Sequence, residues 1–276
     1  MTQASTNSGI AEEGNDGNGN QEASFLQNFV KKYSGPIAVQ LACVALWQLV
    51  SVAGGLPSYI LPSPIDTLAT LADGSNDWVN NTLVTSVEIF GGFILAVVVG
   101  VAIALFFSWS ARLFTLFMPL LVALNMVPKV ALGPIIIVWF SYGIFTNTLI
   151  AFAICFFPIV ITTARGLREI EPELLYLSRT LKASKWQIFT KIQFPGSLPY
   201  LFSGMKVSAV LAVAGAIVGE FIGSERGLGY LMLQVQINLD TATMFMAVLM
   251  ITLVGVVLYG AVAFLEFILV KRGGQA

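Results

Sequence analysis

Glu88, Lys129 and Glu220 are the residues of this chain that could do chemistry, because each stands inside a run of apolar side chains. A charge at the centre of a bilayer-spanning helix costs about 2.5–3.5 kcal/mol on insertion scales, so each needs a partner or a task. An internal ion pair or a polar contact between helices would answer that need. So would the lining or gate of a passage for solute, and residue type alone leaves both readings open. Glu266 has a simpler explanation, since it falls near the end of the last apolar run and can pair there with a cation. Lys206 opens the fifth run, where its stem can carry the ammonium to the interface. What the chain lacks excludes other chemistries. It has no His, and Cys43 and Cys155 are its two cysteines. His-dependent triads and the common His and Cys metal constellations are thereby missing, and each cysteine reads as a buried structural thiol. No catalytic residue and no metal site is assigned.

The elements that must position these charges are membrane helices. The 276 residues are 57% hydrophobic and 11% charged, with a mean hydropathy of +0.83, which is the composition of a polytopic membrane protein. Backbone groups in hydrocarbon must be satisfied within the protein, and no period-two alternation speaks for a barrel. The fold class is therefore all-α, a helical bundle. A net charge of −1 argues against a nucleic-acid partner. Six apolar runs predict transmembrane helices near 36–54, 83–107, 113–142, 146–163, 202–222 and 243–270. The third would be roughly 45 Å long as one straight helix and carries Pro119, Pro128 and Pro134. It is expected to break near Pro128, and the backbone groups so freed must face protein or a water-filled cavity. Ahead of the first run, residues 1–23 are acidic, rich in Gly and Asn and free of Lys and Arg, the composition of a disordered tail. They lack the basic and apolar regions of a signal peptide. Residues 24–35 read as a short amphipathic helix on the membrane surface, ended by Gly35-Pro36, and 36–276 as the membrane domain. Lys31, Lys32, Arg112, Arg165, Arg168, Arg179, Lys182, Lys185, Lys191, Lys271 and Arg272 all fall on one side of this layout, whereas the other side's connectors hold Arg226. By the positive-inside rule both termini and the long connector 165–199 are cytoplasmic.

That connector has helix patterning instead of linker composition. Ser184-Lys-Trp-Gln187 has the form of a capping box, and Trp186, Phe189, Ile192 and Gln193 follow at helical spacing until Phe194-Pro195 is expected to stop the helix. Leu174, Leu175, Leu177 and Leu181 mark a preceding short helix that ends near 182–184. A helix pair that projects Trp and Phe beside Lys and Arg suits either anionic lipid or the groove of a protein partner.

At these residues the chain resembles the membrane permeases of ATP-binding cassette (ABC) importers, whose cytoplasmic loop carries a Glu-Ala-Ala, Gly, Ile and Leu-Pro signature. The same positions read Tyr176-Leu177-Ser178, Lys182, Ile192 and Phe194-Pro195, so the spacing is kept while the Glu and the Gly are replaced. Arg179 to Ile188, Leu198-Pro199, Leu61-Pro-Ser-Pro64, Val127 to Pro134 and Gly227-Leu-Gly-Tyr-Leu231 are similar to the nitrate, sulfonate, taurine and pyrimidine-precursor branch. The resemblance covers roughly 31–272 and implies a type I importer permease of about six transmembrane helices, multi-pass in a bacterial cytoplasmic (inner) membrane. It further implies that two copies form the pathway, that separate ABC ATPase subunits bind ATP and Mg, and that a periplasmic or extracellular substrate-binding protein delivers a small nutrient. It implies a coupling surface made of Leu181, Lys182, Ala183, Ser184, Trp186, Gln187 and Phe189. Glu88, Asn125, Lys129 and Glu220 become candidates for the pathway or its gate, and Gly227 and Gly229 for a tight outer turn. The chain has no Gly-Lys pair and hence no phosphate-cradling Walker A loop, so no cofactor is assigned to it and nucleotide chemistry belongs to a partner. The alternative from another class is an ion- or proton-coupled secondary transporter that uses Glu88, Lys129 and Glu220. It leaves the patterned connector without a task.

Overall fold

The computed structural model describes residues 16–270 other than 56, 109, 170 and 171, and the side chains of residues 34–270 other than those four and 111, 172 and 179. The expected tail therefore lies outside the described residues up to residue 15, as do the C-terminal basic residues Lys271 and Arg272. The chain divides into two units, residues Met1–Ile65 and Asp66–Ala276.

The first unit is built on α1 (Asp16–Ala53), a single helix in which Pro36 is internal. The break expected at Gly35-Pro36 does not occur. Proline removes one hydrogen bond from a helix but already has a helical φ, and long apolar helices accept it. After α1 the chain turns through Pro57–Ile60, and the Trp47 indole Nε1 donates to the Pro62 carbonyl at 3.0 Å. Cys43 stands exposed on α1 rather than buried.

The second unit begins within α2 (Pro64–Ala69) and continues with α3 (Trp78–Ser108), α4 (Ala111–Asn125), α5 (Gly133–Phe140) and α6 (Ile144–Gly166). There follow α7 (Pro172–Thr180), α8 (Lys185–Ile188), α9 (Phe194–Gly223), α10 (Leu228–Gln236) and α11 (Thr241–Leu269). Ahead of α3, Asp73 accepts from the Ser75 amide at 3.0 Å. That bond, with the Ser75 hydroxyl, holds the exposed Asp73 carboxyl below its ordinary range.

Five helical stretches are long and apolar enough to cross a membrane, and the pair α4 and α5 makes a sixth bent by 82°. The bend falls where Pro128 leaves helical geometry (ψ 97°), as its missing N–H and the restriction on Val127 require. The core lies where α6 packs along α3 and α9, with α11 covering α9. Small residues permit that contact. A Cβ added to Gly92 of α3 would come within 2.6 Å of the Ala151 Cβ on α6, and one added to Gly215 of α9 within 2.6 Å of the Ala151 Cα. Three helices thus converge on one alanine, and Ile89, Phe93, Cys155, Ile159, Met205 and Leu258 fill the space beside it. On the outside, Lys206 of α9 and Glu266 of α11 form an ion pair, so Glu266 has its cation on the neighbouring helix.

The long connector folds as helical turns. Ser184 and Gln187 complete the expected capping box, with the Gln187 amide donating to Ser184 Oγ at 3.2 Å and the Ser184 amide to Gln187 Oε1 at 2.8 Å. Phe194-Pro195 does not stop the helix. A π-helical turn at Phe189–Gln193 joins α8 to α9, and the Phe194 amide donates five residues back to Phe189. Pro195 sits in the first turn of α9, where a missing N–H is cheap. The result is one rod from Lys185 to Gly223, 39 residues and roughly 60 Å long.

The turn between α7 and α8 has Lys182 at φ +55°, in the left-handed region. The Ala183 amide donates to the Ser178 carbonyl at 2.9 Å, closing the α7 C-terminus as a Schellman motif does. Glycine is the usual occupant of that position, and a Cβ there costs about 1 kcal/mol. Lys182→Gly is therefore expected to stabilise the turn by about 1 kcal/mol and to slow hydrogen exchange at the Ala183 amide about five-fold, whereas Lys182→Ala gives no gain. Amide exchange read by mass spectrometry on the full chain in lipid nanodiscs checks this.

Candidate functional site: a buried carboxyl pair, a broken span and a coupling loop

On α3, Asn81, Thr85 and Glu88 recur at spacings of four and three residues, which places them on one helix face. The packing of α3 against α6, α9 and α10 turns that face inward, and all three are buried. Glu220 lies in the last turn of α9, and after Ser224 to Arg226 the chain re-enters the protein at Gly227 to start α10. The first amides of a helix have no partner within it. Here they are met by side chains: Gly227 N donates to Asn81 Oδ1 at 2.9 Å and Leu228 N to Thr85 Oγ1 at 2.8 Å. Gly229 N donates to Glu220 Oε2, and the Tyr230 amide faces the same carboxylate. Thr85 in turn donates its hydroxyl hydrogen bond to Glu220 Oε1 at 2.6 Å. A negative group at a helix N-terminus also gains from the helix dipole.

Glu88 lies within hydrogen-bonding reach of Glu220, and its Oε1 accepts from Asn147 Nδ2 on α6 at 2.9 Å. Glu88 is 0% exposed and Glu220 1%. The two carboxyls meet each other and not Lys129, so the ion-pair reading of the three membrane charges does not describe this arrangement. Gly227 has to be glycine. Its φ is +113°, and a Cβ there would stand 2.3 Å from Glu220 Oε1. Gly229 is nearly as constrained, with Glu220 Oε2 2.8 Å from an added Cβ.

Lys129 follows the break between α4 and α5 and is half-buried. Its Nζ donates to the Asn125 carbonyl at 3.0 Å and to Asn125 Oδ1 at 2.8 Å, and lies 5.4 Å from the centre of the Phe157 ring. Lys129 and Asn125 are thus brought together, the ammonium closing the C-terminus of α4 where carbonyls lack partners. They belong to a different neighbourhood from the carboxyl pair.

The coupling candidates divide into two sets. Leu181 and Trp186 stand out at 73% and 68% exposure, and Lys182, Ser184 and Gln187 are exposed around them, with Ala183 half-buried. Phe189 turns the other way and packs on the cluster of Ala104, Ala164 and Leu167. Its ring also stacks on Trp186, with centroids 5.8 Å apart. Phe189 anchors the loop to the bundle, and the face around Leu181 and Trp186 remains uncovered.

Asn81, Thr85 and Asn147 escaped the sequence reading. The signal for the first two was present as a polar stripe ending at Glu88. Asn147 stands alone in its apolar run and gives no such warning.

Gly227→Ala adds both strain and a collision with Glu220, and is expected to cost about 2–3 kcal/mol. Gly260→Ala on α11, where an added Cβ meets nothing within 4 Å, is expected to change stability by less than about 0.5 kcal/mol. Thermal melts of the two variants in the same detergent make the comparison.

A family described as the binding-protein-dependent transport system inner membrane component matches residues 92–270. The formylaminopyrimidine transport permease protein ThiX of Halalkalibacterium halodurans is 32% identical over 85% of this chain and 94% of its own length. The riboflavin transport system permease protein RibX of Chloroflexus aurantiacus is 32% identical over 86% and 88%, and a probable ABC transporter permease of Haemophilus influenzae 31% over 83% and 94%. Among solved structures, the inward-facing methionine ABC transporter MetNI shares the fold, with a TM-score of 0.53 at 19% identity over 66% of this chain and 94% of that one. A broken span, a helical connector and a helix re-entering beside buried carboxyls therefore sit in a chain that belongs to the inner membrane component family of binding-protein-dependent transport systems, as an ABC importer permease.

Proposed function

We propose that this chain forms the translocation pathway of an ATP-driven importer, as one of two identical copies, and that separate ATPase subunits grip the face around Leu181 and Trp186. The observation that carries the reading is an exposed Trp and Leu on a capped, closed turn that is continuous with a spanning helix. Exposed aromatic anchors on a rigid support are the usual energetic centres of protein interfaces. In this reading α7 and α8 face the cytoplasm, as do both termini. A push on α8 is delivered through the π-helical turn to α9 and so to Glu220 at its far end. The chain supplies no nucleotide chemistry of its own. The substrate is a small nutrient that a binding protein presents at the other face. Two relatives at 32% identity are named for formylaminopyrimidine and riboflavin, and one from Bacillus subtilis at 28% for aliphatic sulfonates. The cargo proposed here is a pyrimidine- or flavin-like heteroaromatic or a small sulfonate, as those names suggest, or else taurine or nitrate, as the resemblance to that importer branch implies.

Affinity purification of the tagged chain from native membranes tests the reading. An ATPase with a Walker A loop is expected to copurify with the wild type and to be reduced about ten-fold or more by Leu181→Ala with Trp186→Ala, the loss expected for an interface anchor. The chain itself should remain folded. Absence of any ATPase from wild-type material that is folded and abundant would remove the energy source on which the proposal depends.

A further inference from the structure

The carboxyl pair admits a count of its protons from donors and acceptors alone. Every contact that Glu220 makes with its surroundings other than Glu88 brings a donor to it: the Thr85 hydroxyl to Oε1, the Gly229 amide to Oε2, and the Tyr230 amide. Thr85 Oγ1 is already an acceptor for Leu228 N, so its proton is committed to Glu220. A proton on Glu220 would weaken it as an acceptor for these donors, so the geometry favours the ionised form there. Glu88 is placed differently. Its Oε1 accepts from Asn147, while its Oε2 is buried and meets no donor. Asn147 Oδ1, itself an acceptor, is likewise buried without a donor. The side chains that hydrogen-bond the pair are Thr85 from α3 and Asn147 from α6, while α10 presents backbone amides. No basic side chain among the described residues pairs with either acid; Lys206 pairs with Glu266 instead.

We infer that Glu88 carries the one proton of this pair and donates it from Oε2 to Glu220, which makes Glu88 a positioning acid that keeps the charge on Glu220 single and directed at the α10 amides. One added hydrogen satisfies the otherwise orphaned Oε2 and removes a second buried negative charge that nothing nearby would balance. Two acids in contact divide their roles in this way when their surroundings differ. Asn147 donates to the other oxygen of Glu88 and so fixes which oxygen holds the proton. The inference concerns the internal bonding of this chain and holds whether or not the coupling proposal does.

The test uses the full chain in lipid nanodiscs at neutral pH. Infrared spectra are expected to show a carbonyl stretch of a protonated carboxyl in a dry site, shifted by deuterium, and Glu88→Gln is expected to abolish it. The Gln amide can still donate to Glu220, so hydrogen exchange at Gly229 and Tyr230 should stay within about two-fold of wild type. Glu220→Gln presents an N–H to those amides and should speed their exchange ten-fold or more. If Glu220→Gln does not fold, the wild-type and Glu88→Gln spectra decide by themselves. No protonated band in folded wild type would overturn the inference. So would a band that survives in Glu88→Gln, or an α10 terminus opened as far by Glu88→Gln as by Glu220→Gln.

Discussion

Buried backbone amides must find acceptors inside the protein, and those that open α10 set the terms for this end of the bundle. Their acceptors come from Asn81 and Thr85 on α3 and from Glu220 on α9. Those three side chains fix where α10 enters and how α3 and α9 are rotated against each other. Glycine at 227 and 229 follows from the same demand, since a Cβ at either position meets Glu220. Asn147 and Gly219 belong to the arrangement too. An added Cβ on Gly219 would lie 2.8 Å from Asn147 Oδ1, so its absence allows α6 to bring the amide up to Glu88. An apolar bundle of this kind has little hydrophobic preference between one helix rotation and another, and buried polar contacts supply the selection.

The break between α4 and α5 solves a related problem with a different partner. There the freed carbonyl is that of Asn125, at a helix C-terminus, and a cation is the fitting group. Lys129 reaches back one turn to supply it. The two kinds of helix end thus explain the signs of the membrane charges: carboxylate at the N-terminus of α10, ammonium at the C-terminus of α4. A passage for solute can still use groups that serve such ends, because a group already held in place by one bond needs little reorganisation to make another.

Much of this architecture was legible in the sequence, and the legible parts share a physical basis. Apolar runs located the spanning helices because length and hydropathy are properties of the segment itself. Pro128 located the break and Ser184 with Gln187 the cap, because each acts on its own backbone neighbourhood. What failed was inference from a local stop signal in a tertiary setting. Pro36 and Pro195 were read as helix ends, yet one lies within α1 and the other in the first turn of α9, behind a π-helical turn that absorbs the register change. The meeting of Glu88 with Glu220 was not legible at all. It joins residues 132 positions apart, and nothing in either segment names the other. Lys182 shows a middle case: the spacing of the importer signature placed a turn there, and the left-handed φ was retained although glycine was not.

The rod from Lys185 to Gly223 carries a consequence for how distant events can be joined. Its first turns hold the uncovered Trp186, and its last turn holds Glu220. A packed helix is stiff along its axis, so a displacement of one end is transmitted instead of being absorbed. Phe189, seated on Ala104, Ala164 and Leu167, is the point about which the near end is held. At the far end the hydrogen bonds that Glu220 accepts from Thr85 and Gly229 tie α9 to α3 and α10. In the proposed coupling this rod would join the uncovered aromatic at its near end to the buried carboxyl at its far end.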